Sequence, residues 1–365
     1  MNENRQKAWL GVVVGICVVA GVYFIGELAG RPVQIDGGCR EIMGTFARIV
    51  VVANNARQAR RCIEAGFDEM RRVDSAMSDY KADSELSKVN REAFADPVKV
   101  NDELFAILQK SVEFSRLSDG AFDITVGPLV DLWHKAGEAN AMPDENALAV
   151  TKARVGYEKL ILDANERTVR FAVDGMRLDL GGIGKGYAVD KAVEAMQQHG
   201  AIAGLVDSGG NIRCFGKPLG KDAWAVGVQD PKAAESDTEA TFEGLIPGEY
   251  LLVLRLKDVA VATSGDYRRF VTIGGKKVSH IIDTNTATGT SKLSSDTIIA
   301  QTAVDADALS TAVNVLGAEK GLALIESLSG EAQAKLGLPG VECILITTSP
   351  DYRIVKSSGA EAYLQ

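Results

Sequence analysis

Gly181, Gly182, Gly184 and Gly186 interrupt the chain between an apolar segment ending at Leu180 and a helical pattern carrying Ala188, Ala192, Val193 and Met196. A strand, a run of residues without side chains and a helix start gather backbone N–H groups where an anion can sit above a helix N-terminus. Lys185 adds a positive charge to that place. The run is not a P-loop, since Gly186 stands where a P-loop has Ser or Thr, and it is not a GxGxxG dinucleotide fingerprint. Taken alone it reads equally as a structural turn.

The rest of the chain is ordered around this break. Phe46–Val52 reads as a strand, and Ile63, Phe67, Met70, Val73 and Met77 recur at helical spacing. Asp83 or Ser84 caps a short helix holding Leu86 and Val89, and Asn101 caps another with Leu104, Leu108 and Val112. Leu160–Leu162 and Thr168–Val173 form a hairpin, and Arg177–Leu180 a further strand. Later strands are expected at Gly204–Val206, Trp224–Val228, Tyr250–Leu256, Val259–Ala262, Phe270–Ile273, Cys343–Thr347 and Tyr352–Val355, with helices at Thr302–Leu316 and Leu322–Leu328. Antiparallel connections interleaved with helices predict an α+β fold with mixed or antiparallel sheets. Residues 231–249 carry no apolar period and read as an exposed connection.

Several polar residues sit where chemistry could use them. Asp305, Asp307 and Thr311 fall in an otherwise apolar helical pattern; Asp307 and Thr311 share a face, whereas Asp305 points elsewhere. A buried carboxylate needs a partner. A divalent cation that also bridges phosphates would serve, and so would local capping. His280, one of three histidines, lies among apolar neighbours and reads either as a core residue or as a base. Asp207–Asn211 and Thr263–Arg269 each end a strand in small or polar residues.

At the N-terminus, Trp9–Gly26 is uncharged and follows Arg5 and Lys7. This predicts a signal-anchor at residues 1–30, a linker at 31–39 and one large domain at 40–365, held by a single pass on the extracytoplasmic side of a bacterial cell membrane. A formal charge of −9 leaves no basic field for nucleic acid. The cysteines form no CxxC pair, and Cys62 and Cys343 read as small buried groups.

Read together, eight segments in order resemble the ApbE-type flavin transferases, or FAD:protein FMN transferases. They are Met43-Gly44-Thr45; Met77–Tyr80 with Ser84–Leu86; Gly120–Leu129; Leu180–Tyr187; Ser208–Asn211; Val261–Arg268; His280–Asp283; and Ala306–Thr311. The resemblance implies an exported α+β protein with FAD between its lobes. It implies that Mg²⁺ assists cleavage of the FAD pyrophosphate, AMP leaves, and FMN becomes phosphoester-linked to a threonine of an acceptor flavoprotein. That acceptor would be a membrane redox subunit or an extracytoplasmic electron carrier. Carried over, Asp307 and Thr311 hold the metal through their side chains and Gly182 through its carbonyl. Met43, Tyr80, Gly120, Asp123, Lys185, Asp190 and Ile282 shape the flavin site, and His280 takes the threonine proton. A histidine with an ordinary pKa near 6.5 suits that task.

Three departures stand out. Asp283–Gly289 is longer than the family's Asp-Pro-x-Thr-Gly, Asp296 replaces an apolar residue between Ser295 and Thr297, and Gly184 stands where alanine is common. The same residues also admit two other readings: a metal-dependent pyrophosphatase splitting FAD into FMN and AMP, and a flavin-binding protein without turnover.

Overall fold

The computed structural model describes residues 31–231, 250–265, 270–328, 340–348 and 350–365. In chain order its first elements are β1 (Val33–Ile42), β2 (Thr45–Ala53), α1 (Ala56–Met77), α2 (Glu85–Glu92), β3 (Val98–Lys99) and α3 (Asp102–Leu117). Next come α4 (Gly127–Ala139), α5 (Glu145–Lys152), β4 (Leu160–Asp163), β5 (Thr168–Phe171), α6 (Gly184–Gln198), β6 (Ala203–Ser208) and β7 (Asn211–Phe215). They are followed by β8 (Trp224–Gln229), β9 (Tyr250–Leu256), β10 (Ala260–Gly265), β11 (Phe270–Ile273), β12 (Lys276–Ser279), β13 (Ile282–Asp283) and β14 (Thr288–Gly289). The last are β15 (Leu293–Ala300), α7 (Ala303–Leu316), α8 (Ala318–Ser327), β16 (Glu342–Thr347) and β17 (Ile354–Lys356).

An eight-stranded sheet in the order β1-β2-β6-β7-β10-β15-β16-β17 forms the frame, and its neighbours pair antiparallel throughout. Helices α1, α6, α7 and α8 pack on one face. The β8–β9 hairpin covers the other, where Trp224, Val228 and Leu254 meet Val261, Ile299 and Ile344. Both faces of β15 are therefore covered, and every residue of that strand is buried. The predicted α+β class holds for the described residues.

Local chemistry explains the elements. Asn55 caps α1 by accepting from the Gln58 N–H at 2.9 Å, a contact worth about 1 kcal/mol. The predicted stripe Ile63, Phe67, Met70, Val73 and Met77 is the buried face of that helix. Met43 and Gly44 both take positive φ, 56° and 64°, in the two-residue link between the Ile42–Thr45 strand pair. This is the hairpin turn that matches strand twist, and a non-glycine at its first position is strained.

Three expectations change. Residues 33–39, read as linker, belong to β1, whose alternating exposure hides its apolar signal. Arg177–Leu180 is not a strand; it makes one isolated bridge, Arg177 to Val126, Asp179 N donates to the Ile124 carbonyl, and the Asn90 side chain bonds both the N–H and the carbonyl of Leu178. The membrane anchor, the membrane as partner and the periplasmic single-pass placement are also corrected. Among the described residues no helix is long and apolar enough to cross a membrane. The run at 9–26 that prompted those expectations lies outside the described residues, as do 232–249 and 266–269. Cys62, Cys214 and Cys343 are buried and Cys39 is exposed, all as free thiols.

Candidate functional site

The glycine run folds back on itself before the helix begins. Gly181 N donates to the Asp179 carboxylate at 2.7 Å, and Ile183 N and Gly184 N both donate to the Leu180 carbonyl. The next glycine turns outward to another element: Gly186 N donates to Asp307 Oδ2 at 2.9 Å. Four N–H groups that looked available to an anion are thus already bonded. What the loop presents instead is a carbonyl, that of Gly182, beside a fixed carboxylate.

Helix α7 lies against α6 along this line. Asp307 is 4 % exposed, its Oδ1 3.7 Å from Lys185 Nζ, which itself donates to the Gly181 carbonyl at 2.7 Å. One turn on, Thr311 Oγ1 lies 3.5 Å from the Gly182 carbonyl oxygen. That is too long for a strong hydrogen bond, so both oxygens keep lone pairs for another partner. A Cβ on Gly182 would stand 2.8 Å from Thr311 Oγ1 and 3.3 Å from the Phe122 ring, so glycine is what lets the helix approach. Carboxylate, hydroxyl and carbonyl are hard oxygen donors of the kind Mg²⁺ takes, with room left for phosphate oxygens. No group of three or more His, Cys, Asp or Glu suited to a metal occurs among the described residues. The donor set therefore fits a cation that shares its shell with substrate rather than one caged by carboxylates.

Asp190 is bonded within the protein. Its two oxygens accept from Ala303 N and Val304 N, both at 2.9 Å, and from Arg213 Nη1 at 2.7 Å. Burial pushes its carboxyl up, while Arg213 and the two N–H groups oppose that shift. Negative charge at a helix N-terminus is favourable, so Asp190 anchors the start of α7. Asp305 points away from the site as predicted, pairing with Lys110 at 2.6 Å.

Asp123 is also turned inward. It accepts from Thr125 N, Thr125 Oγ1 and Tyr157 N at 2.7–2.8 Å, and burial is the main influence raising its pKa. Its bonds shape the Gly120–Thr125 loop, whose Phe122 flanks Gly182. Gly120, at φ 76°, offers its carbonyl to Thr284 Oγ1 at 3.0 Å. Ile281 packs with Ala121 and Val315, and Thr290 and Lys292 bond the α7 carbonyls of Asn314 and Val315. The His280 segment is thereby tied to the end of the helix that carries Thr311, with His280 itself exposed at the bend after β12. Tyr80 is 74 % exposed. Ile282 is buried with Leu129 and Trp133, and its main chain pairs with Gly289. A cavity of about 230 Å³ lined by Trp133, Met142, Phe270 and Lys277 includes none of Gly182, Asp307 or Thr311.

Sequence reasoning missed Arg213 and the Asn90 clamp, whose only signal was that buried carboxylates and peptide groups must find partners. Gly184 was read as a departure from the family pattern. A Cβ there would meet Leu180 Cβ at 3.7 Å and Met43 Cε at 3.8 Å, ordinary contacts at a helical φ. Gly184→Ala is therefore expected to stabilise the fold by about 0.5 kcal/mol through the unfolded chain, read as a higher urea midpoint. A lower midpoint would show that Met43 cannot share the space.

Comparison with known proteins agrees with this fold. The ApbE family matches residues 43–336. The FAD:protein FMN transferase of Treponema pallidum is 33% identical over 96% of this chain and 93% of its own length. That of Vibrio cholerae is 29% identical over 88% of this chain and 91% of its own. Among solved structures, the ApbE protein of Thermotoga maritima superposes with a TM-score of 0.77 at 29% identity, covering 91% of this chain and all of that one. The flavin transferase ApbE of Vibrio cholerae gives 0.73 at 26%, covering 91% and 99%. The fold and these matches define an enzyme of the flavin-transferase class, acting with FAD and FMN. The chain belongs to the ApbE family of FAD:protein FMN transferases.

Proposed function

We propose that this enzyme transfers FMN from FAD to a threonine hydroxyl of an acceptor protein, with Mg²⁺ held by Asp307, Thr311 and the Gly182 carbonyl. The observation that carries the reading is the convergence of Thr311 Oγ1 on the Gly182 carbonyl at 3.5 Å, beside a nearly buried Asp307. A bound divalent cation would neutralise pyrophosphate charge and the charge that develops in transfer. The chain's own residues do the rest. Gly186 N holds the Asp307 carboxylate in place, and Lys185 adds positive charge beside it. His280 accepts the threonine proton as the new oxygen–phosphorus bond forms, and the pyrophosphate bond breaks to release AMP. Met43, Tyr80, Gly120, Asp123, Asp190 and Ile282 shape or support the flavin site, Asp123 and Asp190 by fixing the elements around it.

The exposure of His280 suits a base that must meet another protein. His280→Ala is expected to slow transfer roughly 10²- to 10⁴-fold, the usual contribution of a positioned base, while FAD binding persists. Intact-mass measurement of a threonine-bearing acceptor incubated with FAD and Mg²⁺ tests both points. An acceptor heavier by one FMN unit supports transfer, whereas free FMN as the sole flavin product would replace this reading with hydrolysis.

A further inference from the structure

A carboxyl lies fully buried behind α7 without a cationic partner among the described residues. Asp296, on β15, is 0 % exposed and pairs in register with Ser264 of β10 and Leu345 of β16. Its Oδ1 accepts from Ser310 Oγ at 2.6 Å and its Oδ2 from Asn314 Nδ2 at 2.8 Å. Ser310 Oγ is also 2.7 Å from Ser264 Oγ, so one helix hydroxyl is held by two strands. Among the described residues the only other titratable group facing it is the Cys343 thiol of β16, which burial pushes up to about 12. α7 contributes Ser310 and Asn314, and β10 contributes Ser264.

The two residues that Asp296 grips flank Thr311 in sequence, one residue before it and three after. On an α-helix these form a stripe next to the one bearing Asp307 and Thr311. We propose that Asp296 is a positioning residue for the cation-holding turn, fixing the rotation and height of α7 against the sheet through Ser310 and Asn314. The proposal rests on the metal reading given above. Its force comes from tolerance: a catalytic constellation must be held to about 0.5 Å, and a misplacement of about 1 Å can cost 10²-fold. An apolar residue at 296 could fill the volume but would leave the Ser310 hydroxyl and the Asn314 amide less well bonded in a dry interior. Asp190 fixes where α7 starts, and Asp296 fixes which way its third turn faces.

Burial also pushes the Asp296 carboxyl up to about 7, opposed by the two hydrogen bonds. The proton-bound form therefore favours the fold. That contribution is full below the unfolded value of 3.8 and is lost as pH rises through about 7.

The test compares the intact enzyme with Asp296→Ala, Asp296→Asn and Ser310→Ala, using Mn²⁺ alone as a spectroscopic probe of binding and Mg²⁺ in turnover. Asp296→Ala is expected to weaken Mn²⁺ binding and raise half-saturating Mg²⁺ at least tenfold, with FAD affinity in the absence of metal unchanged. Asp296→Asn, which keeps the shape and cannot ionise, is expected to restore metal affinity and remove the part of the thermal midpoint's pH slope between 5 and 8 that Asp296 supplies. Ser310→Ala, which leaves the carboxyl intact, is expected to weaken metal binding several-fold and carries the test if Asp296→Ala fails to fold. Metal affinity within twofold of the parent in folded Asp296→Ala or Ser310→Ala would overturn the proposal alone. A parent enzyme that binds no Mn²⁺ and turns over FAD without metal would overturn the metal reading first and this one with it.

Discussion

Asp307→Ala is expected to lower metal-dependent FAD turnover by well over a hundredfold. Removing even an outer-shell partner of a metal site costs roughly 10–100-fold, and Asp307 is the only carboxylate in the proposed donor set. The alanine variant also strips Gly186 N of its acceptor, in a place where the side chain is 4 % exposed. An orphaned buried N–H costs roughly 1–3 kcal/mol, so loss of activity could follow from loss of structure. Asp307→Asn separates the two effects. Its amide oxygen can still accept from Gly186 N, while the charge that would hold a cation and pair with Lys185 is gone. Both variants are expected to lose turnover and Mn²⁺ affinity, and only the alanine variant to lose stability. AMP release, metal titration and the urea midpoint check the three quantities. Undiminished turnover and metal affinity in either variant would remove Asp307 from the mechanism.

The division of labour between Asp307 and Asp190 marks how far the sequence could be read. The apolar stripes of α1, α6 and α7 were legible because helical period and burial coincide, and β2, β6, β10 and β16 because their apolar runs are bounded by turns, whereas β7 and β15, whose polar residues interrupt the run, were not read as strands. The convergence of Gly182, Asp307 and Thr311 was legible only through the ordered set of segments, since nothing local says which helix packs on a glycine loop. β1 was not legible, because an edge strand with exposed alternate residues and two glycines carries little apolar signal. The Arg177–Leu180 segment was misread for the opposite reason: its buried leucines look like a strand, yet the backbone of Leu178 is satisfied by the Asn90 side chain. Asp190 and Asp123 look like ligands in a list of polar residues. In space their oxygens are taken by Arg213 and peptide N–H groups, which no spacing rule reveals.

Gly186→Ala, two residues from the harmless Gly184→Ala, is expected to cost about 3 kcal/mol, at the upper end of overpacking penalties. A Cβ at Gly186 would lie 2.2 Å from the Ala303 carbonyl oxygen and 2.8 Å from Asp307 Cβ. Neither neighbour can swing aside, since one is backbone in the first turn of α7 and the other is the root of a side chain. That first turn is further pinned by Asp190, whose carboxylate holds Ala303 N and Val304 N. The methyl must therefore push α6 and α7 apart as bodies, and the same displacement lengthens the bond from Gly186 N to Asp307 and parts Thr311 from Gly182. Stability and metal affinity are expected to fall together in Gly186→Ala, whereas Gly184→Ala raises the first and leaves the second alone. Urea denaturation and Mn²⁺ titration of the two variants side by side test this pairing. If Gly186→Ala kept both its midpoint and its metal affinity, the contact of α6 with α7 would be looser than the site requires.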